Sequence, residues 1–348
     1  MTDYLVTQVY PSDKRSNLKI NELLAAEGIS RDKNLDYTCA VFDDDMNVIA
    51  TGSCFGNTLR CLAISRAYQG EGIMNSIVTH LMEVQLSRGN THLFLYTKCE
   101  SAKFFASLGF YEIVRIDNQL VFMENRRAGF ASYLAELSKD AVRAPKTAAL
   151  VINANPFTLG HQYLVEKACA ENDLVHLFIV SEDASLVPFN VRKKLIIEGT
   201  TQFSNLRYHD SGSYMISTAT FPSYFLKDEQ AVIEGHALLD LSIFVSIAKS
   251  LYINRRYVGE GPTSLVTGIY NDIMIRELPK NGIACFVIPR KTYNAMPISA
   301  STVRTAIKNQ DFDTLKLLVP DTTYQFFCSE EAAPIIRKIQ NEKNVVHY

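Results

Sequence analysis

No CxxC pair occurs in this chain, and its seven cysteines (Cys39, Cys54, Cys61, Cys99, Cys169, Cys285 and Cys328) are scattered and odd in number. That argues against a disulfide framework and predicts reduced thiols, most of them in apolar segments of a cytoplasmic protein. The seven histidines never fall at HxxxH or HExxH spacing, so no structural zinc or other protein-built metal site is expected. Excess charge is missing too. With 35 Lys and Arg against 37 Asp and Glu, a net charge of −2 gives no footing for nucleic acid or a membrane surface. The opening MTDYLVTQVYPSDKR has no apolar core behind a basic end, so no signal peptide is expected. No run approaches the roughly 18 apolar residues that a membrane span requires. Internal repeats and low-complexity tracts are absent as well. What is present is 47% hydrophobic and 21% charged, in a chain of 348 residues, long enough for two domains with separate cores.

Residues 1–130 read as one α/β unit. A helix over 16–27 precedes strands over 37–42 and 48–54, which flank a polar turn at 43–47. A strand over 58–64 leads into Gln69-Gly70-Glu71-Gly72 and a helix over 74–87. Strand 92–97, helix 101–108 and strand 111–116 follow. Residues 131–146 read as a linker carrying a helix over 130–138 and ending at Ala144-Pro145-Lys146. From 147 to 348 strands and helices alternate. Strands are expected over 148–153, 174–181, 206–209, 256–258 and 284–288. Helices are expected over 161–171, 190–200, 228–251, 269–278 and 301–308, with further helices to the end. Such alternation predicts a mostly parallel sheet with helices on both faces, an α/β class.

Two strand-to-helix turns carry chemistry. In the first, Asn155-Pro156-Phe157 ends an apolar strand and Thr158-Leu159-Gly160-His161 opens a helix. A hydroxyl and an imidazole at a helix N-terminus, over the carboxyl edge of a parallel sheet, suit phosphate. Gly160 lets backbone approach a ligand closely. In the second, Ile298-Ser299-Ala300-Ser301-Thr302-Val303-Arg304 places hydroxyls at a helix start and a guanidinium one turn in. Each turn alone also fits plain helix capping, with His161 merely on the surface. Arg192, Lys193 and Lys194 begin a helix and could reach a triphosphate or form a solvated basic face. Asp240 could face a site or be the polar position of an amphipathic helix. Thr267, Tyr270 and Asn271 could line a nucleotide or acid pocket or simply cap a helix.

The first turn resembles the T/H-x-G-H signature of the nucleotidyltransferase superfamily, and the second its ISSTxxR signature, with Ala300 and Ser301 in place of Ser and Thr. Tyr257-Val258-Gly259-Glu260-Gly261-Pro262, Val266-Thr267-Gly268-Ile269-Tyr270-Asn271, Pro188-Phe189-Asn190-Val191-Arg192 and Leu239-Asp240-Leu241-Ser242-Ile243-Phe244 are similar to the citrate lyase ligase family. Gln69-Gly70-Glu71-Gly72-Ile73-Met74 and Phe104-Phe105-Ala106-Ser107-Leu108-Gly109-Phe110 resemble the GNAT acetyltransferase fold. The resemblance covers nearly the whole chain. It implies a GNAT-like domain over 1–130 and a Rossmann-like nucleotidyltransferase domain over 147–348. It also implies ATP, Mg²⁺ arriving with the phosphates, acetate, and the CoA-derived group of the citrate lyase acyl-carrier subunit as ligands. Thr158, His161 and Arg304 are then catalytic. Asn155, Phe157, Gly160, Arg192, Gly259, Thr267, Tyr270, Asn271, Ser299 and Ser301 bind nucleotide, and Gln69, Gly70 and Gly72 bind the CoA-like group. Met74 departs from the small residue of the GNAT turn. Phe105 stands where many such enzymes have a Tyr, leaving no hydroxyl to protonate a thiolate. Two other classes stay open: a nucleotidyltransferase acting on phosphopantetheine or a mononucleotide, and a GNAT-type protein acetyltransferase or CoA sensor.

Overall fold

The structure, a computed structural model, describes residues 4–139, 141–181, 185–215, 229–261 and 265–342. Residue 228, where a helix is expected to begin, and Pro262 lie outside them. Contacts divide the chain into two units, Met1–Tyr133 with Pro222–Leu239, and Leu134–Phe221 with Asp240–Tyr348.

The first unit contains β1 (Val6–Gln8), α1 (Lys14–Ala26), β2 (Tyr37–Phe42), β3 (Val48–Phe55), β4 (Thr58–Ile64), α2 (Ile73–Ser87), β5 (Phe94–Thr97), α3 (Ala102–Ser107), β6 (Tyr111–Ile116) and β7 (Leu120–Glu124). The strands form one sheet in the order β1-β2-β3-β4-β5-β7-β6. Two-residue alternation sorts its side chains. Ala40, Val48 and Cys61 pack with Ile20 and Leu24 of α1, while Cys39, Val41 and Ile49 pack with Ile77 and Leu81 of α2. Gly52 permits the second contact, because a Cβ there would lie 2.6 Å from Ile77 Cγ2 and 2.9 Å from Leu81 Cδ1. No strand is expected over 120–124 from the sequence, yet β7 runs there between β5 and β6. All five of its residues are buried, so no polar alternation announces it.

Strands β4 and β5 run parallel and pair only at Thr58↔Phe94 and Leu59↔Leu95. Past that point a cavity of about 640 Å³ opens, lined by Leu62 and Ile64 of β4, Tyr96 and Thr97 of β5, the Gln69–Gly72 turn and Phe105.

Helix α4 (Gly129–Ser138) leads to the second unit. There β8 (Thr147–Ile152), α5 (Leu159–Glu171), β9 (Leu174–Ile179), α6 (Phe189–Glu198), β10 (Leu206–Asp210), α7 (Glu229–Ser250), β11 (Arg255–Gly259), α8 (Leu265–Glu277) and β12 (Ala284–Ile288) alternate as expected, α7 belonging to this unit from Asp240 onward. The sheet is fully parallel in the order β10-β9-β8-β11-β12. Chain direction across the sheet reverses between β8 and β11, the place where open parallel sheets bind ligands. Both faces are covered. Tyr257 of β11 reaches Glu171 of α5, its hydroxyl donating at 2.7 Å, while the adjacent Arg256 lies over Phe244 of α7. A hairpin of β13 (Thr292–Tyr293) and β14 (Met296–Pro297) precedes α9 (Ala300–Lys308). Helices α10 (Phe312–Leu318), α11 (Asp321–Cys328) and α12 (Ala333–Asn341) then bury Leu315, Phe327 and Ile339 in the same core as Leu150 and Ile179.

Helix α7 corrects one expectation. Its segment Ala231–Ser250 is long and apolar enough to cross a membrane, with mean hydropathy 1.6. More than half of its most apolar 18-residue window is buried inside the protein, which is the pattern of a core helix. The cysteines are free, with Cys39, Cys54, Cys61 and Cys169 buried and Cys328 exposed.

Candidate active site

Thr158 is the N-cap of α5, with extended backbone, and its hydroxyl accepts from the His161 N–H at 3.3 Å. His161 returns the contact, its Nδ1 accepting from the Thr158 N–H at 3.1 Å, with Thr158 Oγ1 at 2.9 Å. This is a capping box with imidazole in the usual Glu position. An accepting Nδ1 carries no proton, so the neutral ring holds its proton on Nε2. Nε2 itself makes no hydrogen bond among the described residues. Burial, with help from the Arg290 charge, pushes the His161 pKa down to about 4. The ring is therefore a neutral N–H donor throughout the physiological range. Phe157, wholly buried, stacks beneath it at 5.9 Å and 15°.

The second turn is built on the first. Gly160 faces it, and a Cβ there would lie 2.9 Å from the Ile298 carbonyl oxygen. The missing side chain thus admits the neighbouring turn. Arg304, 1% exposed, donates from Nη1 to the Asn155 carbonyl at 2.6 Å. Burial lowers its pKa to about 10, which leaves it charged at neutral pH. Ser299 caps α9, accepting from Thr302 N–H at 3.1 Å, and lies 2.8 Å from both Ser301 Oγ and Thr302 Oγ1. Asn155 is 3% exposed; its Oδ1 accepts from Val187 N–H at 3.0 Å, and its Nδ2 has no partner.

Other expected ligands lie elsewhere. Arg192 points inward rather than toward a ligand. Its Nε donates to the Val187 carbonyl at 3.0 Å, and Nη1 lies 2.8 Å from the Asn153 carbonyl, Asn153 Oδ1 and the Val180 carbonyl. It braces the turn. Lys193 and Lys194 pair with Asp210 and Glu331 at the surface. Asn271 Nδ2 donates to the Gly259 carbonyl at 3.1 Å, fixing α8 to the end of β11. Thr267 packs against Gly261, where a Cβ would lie 2.4 Å from its own Cβ. Tyr270, half-buried, is within electrostatic reach of Asp240 and Arg256, and burial holds its hydroxyl pKa well up. Gln69, Gly70 and Gly72 line the cavity of the first unit.

Sequence reasoning missed Arg290. It follows β12, donates from Nε to the Glu260 carbonyl at 2.5 Å, and its charge acts on His161. The available signal was its position, directly past Pro289 at the carboxyl end of an apolar strand.

A five-stranded parallel sheet with a polar turn at the reversal of its strand order defines a Rossmann-like α/β domain. The citrate lyase ligase C-terminal domain model matches residues 147–327. The chain is 35% identical over 328 residues to the citrate pro-3S-lyase ligase of Escherichia coli K12, covering 92% of this chain and 93% of that one. It is 36% identical over 313 residues to the ligase of the same name from Haemophilus influenzae, covering 88% and 93%. Among solved structures, Escherichia coli ElaA matches 35% of this chain and 99% of its own, at 14% identity and a TM-score of 0.31. The chain belongs to the citrate lyase ligase family, and it is an enzyme.

Proposed function

We propose that this ligase adenylates acetate at the β8–α5 turn and transfers the acetyl group to a thiol. The thiol is that of the CoA-derived group on the acyl-carrier subunit of citrate lyase, in the cytoplasm. The observation that carries the reading is His161, a half-buried neutral imidazole with a fixed tautomer, an unpartnered Nε2 and the charge of Arg290 acting on it. Such a donor, held by α5 before substrate arrives, stabilises charge that develops on an α-phosphate without reorganising.

An acetate oxygen attacks the α-phosphorus of ATP, the bond from phosphorus to the bridging oxygen breaks, and pyrophosphate leaves. Thr158 and His161 hold the α-phosphate oxygens. Ser299, Ser301 and Arg290 draw on the departing pyrophosphate, and Arg304 fixes the two turns together. The carrier thiolate then attacks the acetyl carbonyl, the bond to the AMP oxygen breaks, and AMP leaves. The chain need only position and stabilise. Magnesium, when bound, neutralises phosphate charge. A cation of this kind keeps several waters and is expected to come with the phosphates.

The cavity of the first unit supports a grip on the CoA-like arm. Gly70 and Gly72 take φ of +91° and +80°, with open space where a Cβ would lie, at the start of α2. Phe105 lines the same cavity and offers no proton.

The test is exchange of labelled pyrophosphate into ATP. Exchange with acetate alone supports the ligase. A requirement for a phosphorylated acceptor indicates a nucleotidyltransferase, and no exchange under either condition indicates an acetyltransferase or sensor.

A further inference from the structure

Arg256, the second residue of β11, is 5% exposed, and its Nε and Nη1 have no hydrogen-bond partner. The guanidinium carbon lies 4.3 Å from the centroid of the Phe244 ring on α7. Asp240, one turn earlier on α7, Tyr270 on α8 and Cys285 on β12 all act on it electrostatically. No ion pair joins Asp240 to Arg256 among the described residues. A buried cation with idle donors is strongly unfavourable unless something anionic completes it. Asp240 completes it poorly, since burial pushes that carboxyl up toward its neutral form while Arg256 only pulls it partly back.

We infer that Arg256 anchors the carboxylate of the acyl substrate, a small monocarboxylate whose oxygens take the idle guanidinium donors and whose alkyl end lies against Phe244. The assignment rests on the adenylation reading above. One guanidinium among aromatic rings suits a monoanion with an apolar tail better than a polyphosphate, which needs many donors. Position agrees. Arg256 sits on the strand beside β8, opposite Ala149, and three residues before the carboxyl end of β11. That is about 10 Å of strand, which a long side chain and a small acid can bridge together. Phe244, 1% exposed, leaves little room beside it, so the shortest acids are selected.

The test uses the full chain in acetate-dependent pyrophosphate exchange. Arg256→Met keeps the volume and removes the charge. Losing hydrogen bonds to a charged group should raise KM for acetate about 10- to 100-fold while leaving KM for ATP unchanged. Acetate added with ATP should raise the thermal midpoint of the natural chain and not that of the variant. Phe244→Leu should shift the kcat/KM ratio toward propionate. Should Arg256→Met fold poorly, Arg256→Lys is read the same way, with a smaller rise in acetate KM. An unchanged acetate KM in both Arg256 variants, with exchange intact, overturns the assignment alone. No acetate-dependent exchange in the natural chain overturns the adenylation reading beneath it.

Discussion

One proton decides what His161 can do. With Nδ1 accepting from Thr158, only Nε2–H remains to meet an oxygen. His161→Asn should therefore slow pyrophosphate exchange about 10²- to 10³-fold, roughly 3–4 kcal/mol in the barrier, with folding retained by circular dichroism. Acid should act on stability through the same ring. His161 and His176 are both pushed down to about 4 by burial, from an ordinary 6.5. Between those values the unfolded chain binds protons that the folded chain refuses, so stability is full above pH 6.5 and falls as pH drops toward 4. A thermal midpoint measured from pH 7.5 to 4.5 should decline through that window. His176→Asn should flatten part of the slope, although His176 also shares a 2.8 Å contact with His209. An unchanged slope in that variant would remove His176 from the account.

At the scale of elements, the site is two helix starts pressed together. Gly160→Ala sets a Cβ against the Ile298 carbonyl, so it should cost about 1–3 kcal/mol in denaturant unfolding and weaken exchange as well. Arg192→Met leaves the Val180, Val187 and Asn153 carbonyls short of a donor. It should lower stability by about 3 kcal/mol or more, since each lost partner of a buried group costs about 1–3. A raised KM for ATP with stability unchanged would instead make Arg192 a ligand. These two residues mark what the sequence makes legible. The β8–α5 turn announces itself because Thr158, Gly160 and His161 are neighbours whose roles are local. The inward turn of Arg192 is tertiary, and its trace is only that it shares a buried stripe with Leu195 and Ile196. Arg290 was harder to read for a related reason: its place past Pro289 is a local sign, but what brings its charge to act on His161 is the order of strands, which no local pattern encodes.

For the whole molecule, alternation of strands and helices was enough to foresee the parallel sheet of the second unit, because each apolar run there is bounded by turns. The first unit was less legible. Its β7 is buried on both faces and its β1 is three residues long, so neither shows a period. The two units suggest a division of labour that can be separated experimentally. Gly72→Val, at a φ of +80°, should strain the turn by about 1–2 kcal/mol and reduce acetyl transfer to the carrier subunit. Acetate-dependent exchange should persist in the same variant. Loss of both together would tie the cavity to adenylation rather than to the carrier.

The bond from Arg304 to the Asn155 carbonyl joins residues 149 positions apart. All five parallel strands of the second unit lie before residue 289, whereas Arg304 and the Ser299 cap come after it. A ribosome thus completes every strand of the sheet before it supplies the half of the site that closes on His161. Nucleotide affinity should therefore arise late in synthesis, after the sheet can already form. A nascent chain halted at Arg290 would then carry all the strands of the sheet but lack the second turn, and under the proposed reaction it should fail to bind ATP in an equilibrium binding assay.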